Sequence, residues 1–371
     1  MDRAAAPNKP GGTFLTHGHI AAVRAVARAV HSERPPHALL VVGPRGVGKT
    51  TLALDLAAGL LCLVDDPTER PCRDCAACRK VAADNHADLH VVTPQGAGEQ
   101  IRIGQVQQLA SDLALTAMEG RFRIAVITSA QRLNHDAQNA LLKTLEEPGP
   151  ATCLMLCADD AAPLLPTVLS RSARLRLAPL SIETLTELLV ADGYAQPAQA
   201  RALAIAAAGR PGLAIRLSDQ PEAVLARARI SRTLLDLVTA DRRTRLGAAA
   251  DLITDAVAVD AAMRGEVPPS SKRLQPVERR RAIHLIIEVW RDLGRDLAVA
   301  VHGGGRGIRD LDQLDELLAL SKRVDAAQLR RFLDRLDRLM LAIEGYASPE
   351  LTLDALLLTW PRASGSARSA A

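Results

Sequence analysis

Aromatic residues are nearly missing from this chain: Phe, Tyr and Trp together make up 2% of 371 residues. That scarcity argues against a single-stranded nucleic-acid surface, because such surfaces stack bases on exposed rings. It also leaves Ala, Leu and Val to fill the cores, which suits closely packed helices. Long apolar runs are lacking too. None reaches the roughly 18–20 residues that span a bilayer, so no membrane association is expected. The opening MDRAAAPNKPGG has no apolar stretch of a secretory signal. Both absences predict a cytoplasmic protein. A large excess of one charge sign is lacking as well: 46 Lys and Arg stand against 42 Asp and Glu, a net +4. At this length that is nearly neutral, and it neither demands nor excludes a polyanionic partner. Six cysteines are too few for a disulfide framework.

Apolar residues are 48% and charged residues 24% of the chain. That supplies several cores and excludes a disordered protein. The length predicts two or three domains. Residues 1–12 read as a loose leader. From Thr13 to about Pro179 helix and strand patterns alternate. A helix over 18–31 carries Ile20, Val23, Val26, Ala27 and Val30 on one stripe. Strand-like runs follow at Leu39–Val42, Leu89–Val92, Ile124–Thr128, Thr152–Cys157 and Leu175–Leu177, with helical stretches at 49–62, 103–118 and 135–147. Strands separated by helices predict a five-stranded parallel α/β sheet covered on both faces. Residues 181–217 predict two short helices, broken at Asp192-Gly193 and at Gly209-Arg210-Pro211-Gly212. From about 219 to 361 the pattern is all helical, interrupted by the Pro-rich 264–277 and by HGGGRG at 302–307. The tail 363–371 reads as disordered.

The run Gly43-Pro44-Arg45-Gly46-Val47-Gly48-Lys49-Thr50 follows an apolar strand and opens a helix. It is a phosphate-binding loop in the context that motif requires. Gly43, Gly46 and Gly48 let backbone N–H groups converge on phosphate oxygens. The helix that follows points its positive end at the same place. Lys49 can reach the β- and γ-phosphates, and the Thr50 hydroxyl can ligate Mg²⁺. Gly43 through Thr50, with Thr51, are thus the candidate residues for ATP and Mg²⁺. Hydrolysis also needs an acid at the end of another strand. The strand through Ile127 ends in Thr128-Ser129, with no carboxylate. Asp136 lies in the next helix and reads as a solvated or capping residue. Asp159 and Asp160, after the Thr152–Cys157 run, are the alternative. A cradle beside a missing acid suggests a chain that holds ATP and turns it over poorly.

Cys62, Cys72, Cys75 and Cys78 are spaced C-x9-C-x2-C-x2-C. Two overlapping C-x-x-C steps bring three thiolates together, and Pro71 with the polar 65–74 loop lets Cys62 fold back as a fourth. Four thiolates suit a closed, structural Zn²⁺ site, and a redox pair would need only one C-x-x-C. Arg70, Arg73, Arg79 and Lys80 are expected to offset the thiolate charge. Cys153 and Cys157, on an apolar strand, read as plain core residues.

One further run is more specific: Asn139-Ala140-Leu141-Leu142-Lys143-Thr144-Leu145-Glu146-Glu147-Pro148. Taken alone it is an amphipathic helix with Leu141, Leu142 and Leu145 inward. With the phosphate loop, the four cysteines and Ser170-Arg171-Ser172, it resembles the bacterial clamp-loader AAA+ subunits of DNA polymerase III, from about residue 13 to 361. Trp290-Arg291-Asp292-Leu293-Gly294-Arg295-Asp296 and Leu351-Thr352-Leu353-Asp354-Ala355-Leu356-Leu357-Leu358 look like helices of the delta-prime branch rather than of its gamma and tau relatives.

The resemblance implies a P-loop AAA+ domain over 13–179 with a zinc module inserted at about 62–78, a helical lid over 180–218 and an all-α collar over 219–362. It implies a hetero-pentameric ring with gamma/tau and delta, acting on a sliding clamp and primed DNA at the replisome on the nucleoid. Arg171 then matches the arginine that reaches in trans to a neighbour's ATP, although Ser172 stands where Cys is usual. Two departures imply a subunit that does not hydrolyse ATP itself. Thr128-Ser129 replaces the metal-holding acid. Gly212 stands where a second sensor arginine is expected, with Arg210 or Arg216 as substitutes. The retained Lys49 and Thr50 keep ATP binding open, and an active gamma/tau-like ATPase is the alternative.

Overall fold

The computed structural model describes residues 12–95, 100–149, 151–264, 266, 274–305, 308, 313–344 and 348–363. The leader before residue 12, the tail from 364, most of the Pro-rich 264–277 stretch and part of 302–307 lie outside the described residues. The chain divides into two compact units. One comprises the chain up to Leu180 together with Arg210–Gly212; the other comprises Ser181–Gly209 and the chain from Leu213 on.

The first unit runs α1 (Ile20–His31), β1 (Ala38–Val42), α2 (Lys49–Leu61), α3 (Ala76–Ala82), β2 (Leu89–Val92), α4 (Ile103–Leu113), β3 (Arg123–Ile127), α5 (His135–Glu146), β4 (Thr152–Ala158), α6 (Pro166–Ser170) and β5 (Ala173–Arg176). The five strands form one parallel sheet in the order β2-β3-β4-β1-β5. Parallel strands are joined by crossovers that cover both faces, so the inner strands β1, β3 and β4 are apolar on both sides, while β5 at the edge is mostly exposed. On one face Leu39, Val41, Ile124, Val126 and Met155 pack against α1 and α2 residues such as Val26, Val30, Leu52 and Leu56. On the other, Leu40, Ala125, Ile127, Leu154 and Leu156 pack against Val106, Leu109, Leu141 and Leu145 of α4 and α5. The register sets Val42 opposite Ala158, so the chain leaves β1 and β4 side by side.

Three expectations are corrected here. Ile20, expected on the buried stripe of the first helix, is 65% exposed, because it sits at the helix start where Ala22, Val26 and Val30 set the inward face. The helix expected to reach 118 stops at Leu113. Asp88, fully buried, accepts from the N–H groups of Met118, Glu119 and Gly120 at 2.7–2.8 Å and draws them into a turn. Residues 181–217 form three helices, not two: α7 (Ile182–Ala191), α8 (Pro197–Ala206) and α9 (Pro211–Leu217). Proline stands at the first position of both α8 and α9. The expected break at Pro211 is therefore a helix start, where a missing N–H costs nothing.

The rest of the second unit is helical: α10 (Pro221–Asp236), α11 (Arg242–Gly247), α12 (Ala249–Arg264), α13 (Pro276–Val301), α14 (Leu314–Ser321), α15 (Ala326–Glu344) and α16 (Pro349–Thr359). The few aromatics are concentrated here. Trp290 lies 5.3 Å from Phe332 and 5.5 Å from Trp360 between ring centroids, and Phe332 and Trp360 are 4.7 Å apart. Leu353, Leu356 and Leu357 of α16 are buried, while Leu351 is 70% exposed. Among the described residues no helix is long and apolar enough to cross a membrane.

Candidate functional site

The glycine-rich loop connects β1 to α2 at the carboxyl edge of the sheet, where ligands of open α/β sheets bind. Gly46 and Gly48 have φ of 82° and 110°, the left-handed region that side chains resist. At Gly43 the constraint is steric: a Cβ would fall 2.2 Å from the carbonyl oxygen of Leu177. Val47 N–H donates to Pro44 O at 3.2 Å, closing the loop on itself. His19 Nε2 donates to Val47 O at 2.9 Å, and burial holds that imidazole below its usual pKa despite this bond. Arg45 is exposed, and Thr50 and Thr51 sit half-buried in the first turn of α2.

Lys49 is 7% exposed. Its Nζ donates to Gly43 O at 2.6 Å, to Pro44 O at 3.1 Å and to Asp159 Oδ1 at 2.6 Å. Asp159 follows β4 directly and is itself braced by Gln131. Gln131 Nε2 donates to Oδ2 at 3.0 Å, and the Asp159 N–H donates to Gln131 Oε1 at 3.2 Å. A carboxylate therefore stands in the loop site, supplied by the alternative strand end. Thr128 is tied to β2 through Val92 O, and Asp136 is exposed on α5. Asp160 is exposed and caps the N–H of Ala162 at 3.0 Å.

Gly212, where the second sensor arginine is expected, meets the loop with its backbone. Its N–H donates to Gly46 O at 2.8 Å, and a Cβ there would lie 3.0 Å from that oxygen. Arg210 is buried and Arg216 is exposed on α9.

Arg171 caps the end of α6, beside the edge strand β5. Its guanidinium is 36% exposed and pairs with Glu146 at 2.8 Å. Ser172 is buried, its hydroxyl donating to Val168 O at 2.9 Å. On α5, Leu141 and Leu145 are buried and Leu142 half-buried. The buried Gln138 of the same helix bonds Leu133 O, Pro163 O and Leu165 N–H, which fixes the approach to α6.

The sulfur atoms of Cys62, Cys72, Cys75 and Cys78 all lie within 4.8 Å of one another. Cys62 ends α2 and Cys75 begins α3, so two helix ends and the loop between them build the cluster. The Cys62–Cys72, Cys62–Cys75 and Cys72–Cys78 separations are 3.6, 3.9 and 4.0 Å. Four thiolates at ~2.3 Å from a tetrahedral ion stand ~3.8 Å apart, so the donor set fits such a cation. The N–H groups of Cys75 and Cys78 point at Cys72 and Cys75 sulfur. Burial raises the Cys62 and Cys78 thiols. At Cys75 burial acts the same way, but the N–H groups of Leu63 and Cys78 and the neighbouring thiols outweigh it and bring the thiol down to about 7.

The nearby cations do not serve the thiolates as expected. Arg70 pairs with Glu33 at 2.6 Å, Arg73 with Asp55, Arg79 with Asp74 and Lys80 with Glu119. Each has a carboxylate within reach, a stronger partner than a sulfur shared with an ion. Cys153 and Cys157 are fully buried on β4, and burial pushes both thiols up to about 12. Sequence spacing offered no signal for Gln131, Asp55 or Asp88, whose partners lie 18 or more residues away.

Residues 18–181 match the family described as DNA polymerase III, delta subunit. Over that stretch, a little under half of its length, the chain is similar to this family. The stretch contains the glycine-rich loop, the four cysteines, Asp159 and Arg171. Among relatives, DNA polymerase III subunit delta' of Bacillus subtilis is 34% identical over 176 residues, covering 47% of this chain and 52% of the relative. Its namesake in Pseudomonas aeruginosa is 40% identical over 149 residues, covering 39% and 42%. DNA polymerase III subunit tau of Escherichia coli is 33% identical over 201 residues, covering 53% and 31%. The chain thus matches about half the length of these delta' relatives, or less.

Proposed function

We propose that this chain is a delta-prime-like subunit of the DNA polymerase III clamp loader, helping to load the sliding clamp onto primed DNA. The observation that carries this reading is the family match over 18–181, which encloses the glycine-rich loop, the four cysteines and Arg171. In this reading 13–179 is an AAA+ domain, 180–218 a lid and 219–362 a collar that joins gamma/tau and delta in a five-membered ring. The four cysteines hold a structural Zn²⁺: with four thiolates bound, no position stays open for a reacting water. The glycine-rich loop is the seat of a nucleotide with Mg²⁺, held through Gly43–Thr51.

Arg171 is the residue proposed to act on a neighbour. A guanidinium against a γ-phosphate stabilises the charge that develops as the phosphoryl group transfers. Its accessibility supports this role. Its pairing with Glu146 is a half-exposed surface contact, of the kind worth at most about 1 kcal/mol, so little opposes its release. In a reconstituted loader, Arg171→Ala is expected to cut ATP turnover at one site by tenfold or more. Lys49→Ala is expected to leave loading nearly unchanged. Full turnover with Arg171→Ala would remove the trans role.

Asp159 favours a second reading, an active gamma/tau-like ATPase with this carboxylate as its metal-holding acid. Steady-state turnover by the isolated chain, abolished by Lys49→Ala, would select it.

A further inference from the structure

We infer that Asp159 makes the loop site selective for nucleoside diphosphates over nucleoside triphosphates. The inference rests on the nucleotide-binding reading and deepens it. An ammonium carries three protons. At Lys49 all three have acceptors: the Gly43 carbonyl at 2.6 Å, the Pro44 carbonyl at 3.1 Å and Asp159 Oδ1 at 2.6 Å. The lysine of this motif reaches the β- and γ-phosphates, and a triphosphate brings both to it. Here a carboxylate already takes the place of one phosphate oxygen.

Asp159 is not free to swing away. Its backbone continues β4, whose last residue Ala158 is in register with Val42 of β1, and Gly43 N–H donates to Ala158 O at 3.1 Å. Its other carboxylate oxygen and its N–H are both engaged by Gln131. A γ-phosphate reaching Lys49 must displace this anion or share the ammonium with it at close range. Like charges held that near in a partly buried site repel strongly. A diphosphate ends one phosphoryl group earlier. Its β-phosphate takes hydrogen bonds from the loop N–H groups and the start of α2 and, without a γ-phosphate beyond it, sets less negative charge against Asp159 beside Lys49.

The test is equilibrium binding of ADP and ATP to the full chain, each with EDTA and with Mg²⁺. The wild type is expected to bind ADP at least tenfold tighter than ATP under both conditions. Asp159→Asn keeps the shape and removes the charge. It is expected to gain at least tenfold in ATP affinity with EDTA while ADP affinity changes less than threefold. Gln131→Ala, which frees the carboxylate to turn, is expected to move ATP affinity in the same direction. Equal wild-type affinities overturn the inference. So does a loss of Mg²⁺-ATP affinity in Asp159→Asn, which would make the carboxylate a metal-holding acid. Flat titrations with both nucleotides in wild type and variants, with unchanged thermal unfolding, overturn the nucleotide-binding reading itself and the inference with it.

Discussion

Asp55 holds Thr16 twice: Oδ2 accepts from its backbone N–H at 2.8 Å and from its hydroxyl at 2.6 Å. Oδ1 of the same carboxylate accepts from Leu15 N–H at 3.0 Å and pairs with Arg73. Asp55 is 1% exposed, in the helix that follows the glycine-rich loop. One buried charge thus ties that helix to the segment before α1 and to the cysteine loop. Asp55→Ala is expected to cost about 3–5 kcal/mol, because it leaves a guanidinium and two N–H groups without their acceptor. Thr16→Val is expected to cost about 1 kcal/mol. Urea unfolding of the two variants checks the ratio; equal losses would show that Arg73 and Leu15 find other partners.

Asp88 gives a pH signature. Burial alone would raise its carboxyl pKa, but the N–H groups of Met118, Glu119 and Gly120 and the Arg123 guanidinium outweigh it and hold the group below its ordinary value. A carboxyl with a depressed folded pKa stabilises the fold above its unfolded pKa of about 3.9, and that contribution is lost as pH falls through the folded value. Asp88→Asn is expected to cost about 2 kcal/mol at pH 7, and the gap to wild type is expected to close below about pH 4. A gap of constant size from pH 7 to pH 3 would exclude this role for the charge.

The cysteine cluster predicts metal content. Native protein is expected to carry one Zn²⁺ per chain by elemental analysis, and a strong chelator is expected to lower its melting temperature. Cys75→Ser is expected to weaken zinc retention by at least tenfold. Metal-free protein that melts unchanged in the chelator would leave the cluster as four unliganded thiols.

The helical unit depends on its aromatic centre. Trp290 is fully buried against Phe332 and Trp360. Trp290→Ala is expected to destabilise that unit by about 3–5 kcal/mol, as large-to-small core changes do. Calorimetry is expected to shift the transition of the helical unit and leave that of the sheet unit in place. A single unshifted transition would contradict the weight given to this cluster.

Much of the fold was legible in the residues. The five runs match the five strands, each within two residues of its expected ends, and the match is firmest for β1, β3 and β4, because strands buried on both faces must be continuously apolar. The four cysteines were readable as a cluster because their spacing keeps all but one within a short loop. Where the structure departs from the pattern, long-range contacts are the cause. Spacing extends the helix after Ile103 to 118 because Asp88, which gathers the N–H groups of Met118–Gly120 into a turn, is 30 residues away in the chain. Spacing sets Arg70, Arg73 and Lys80 beside the thiolates because their carboxylate partners Glu33, Asp55 and Glu119 are remote in sequence.

Local order along the chain determined the glycine-rich loop, its strand and its helix, since phosphate-loop chemistry needs only neighbours in sequence. It also determined the family resemblance and the alternation of helix and strand. Only the tertiary structure decided what faces Lys49. Sheet order puts β4 beside β1, and the register between them brings Asp159, 110 residues away, onto the ammonium. Coulomb interactions act through space, and no spacing rule along the chain can say which distant carboxylate a packed sheet will deliver to a given charge.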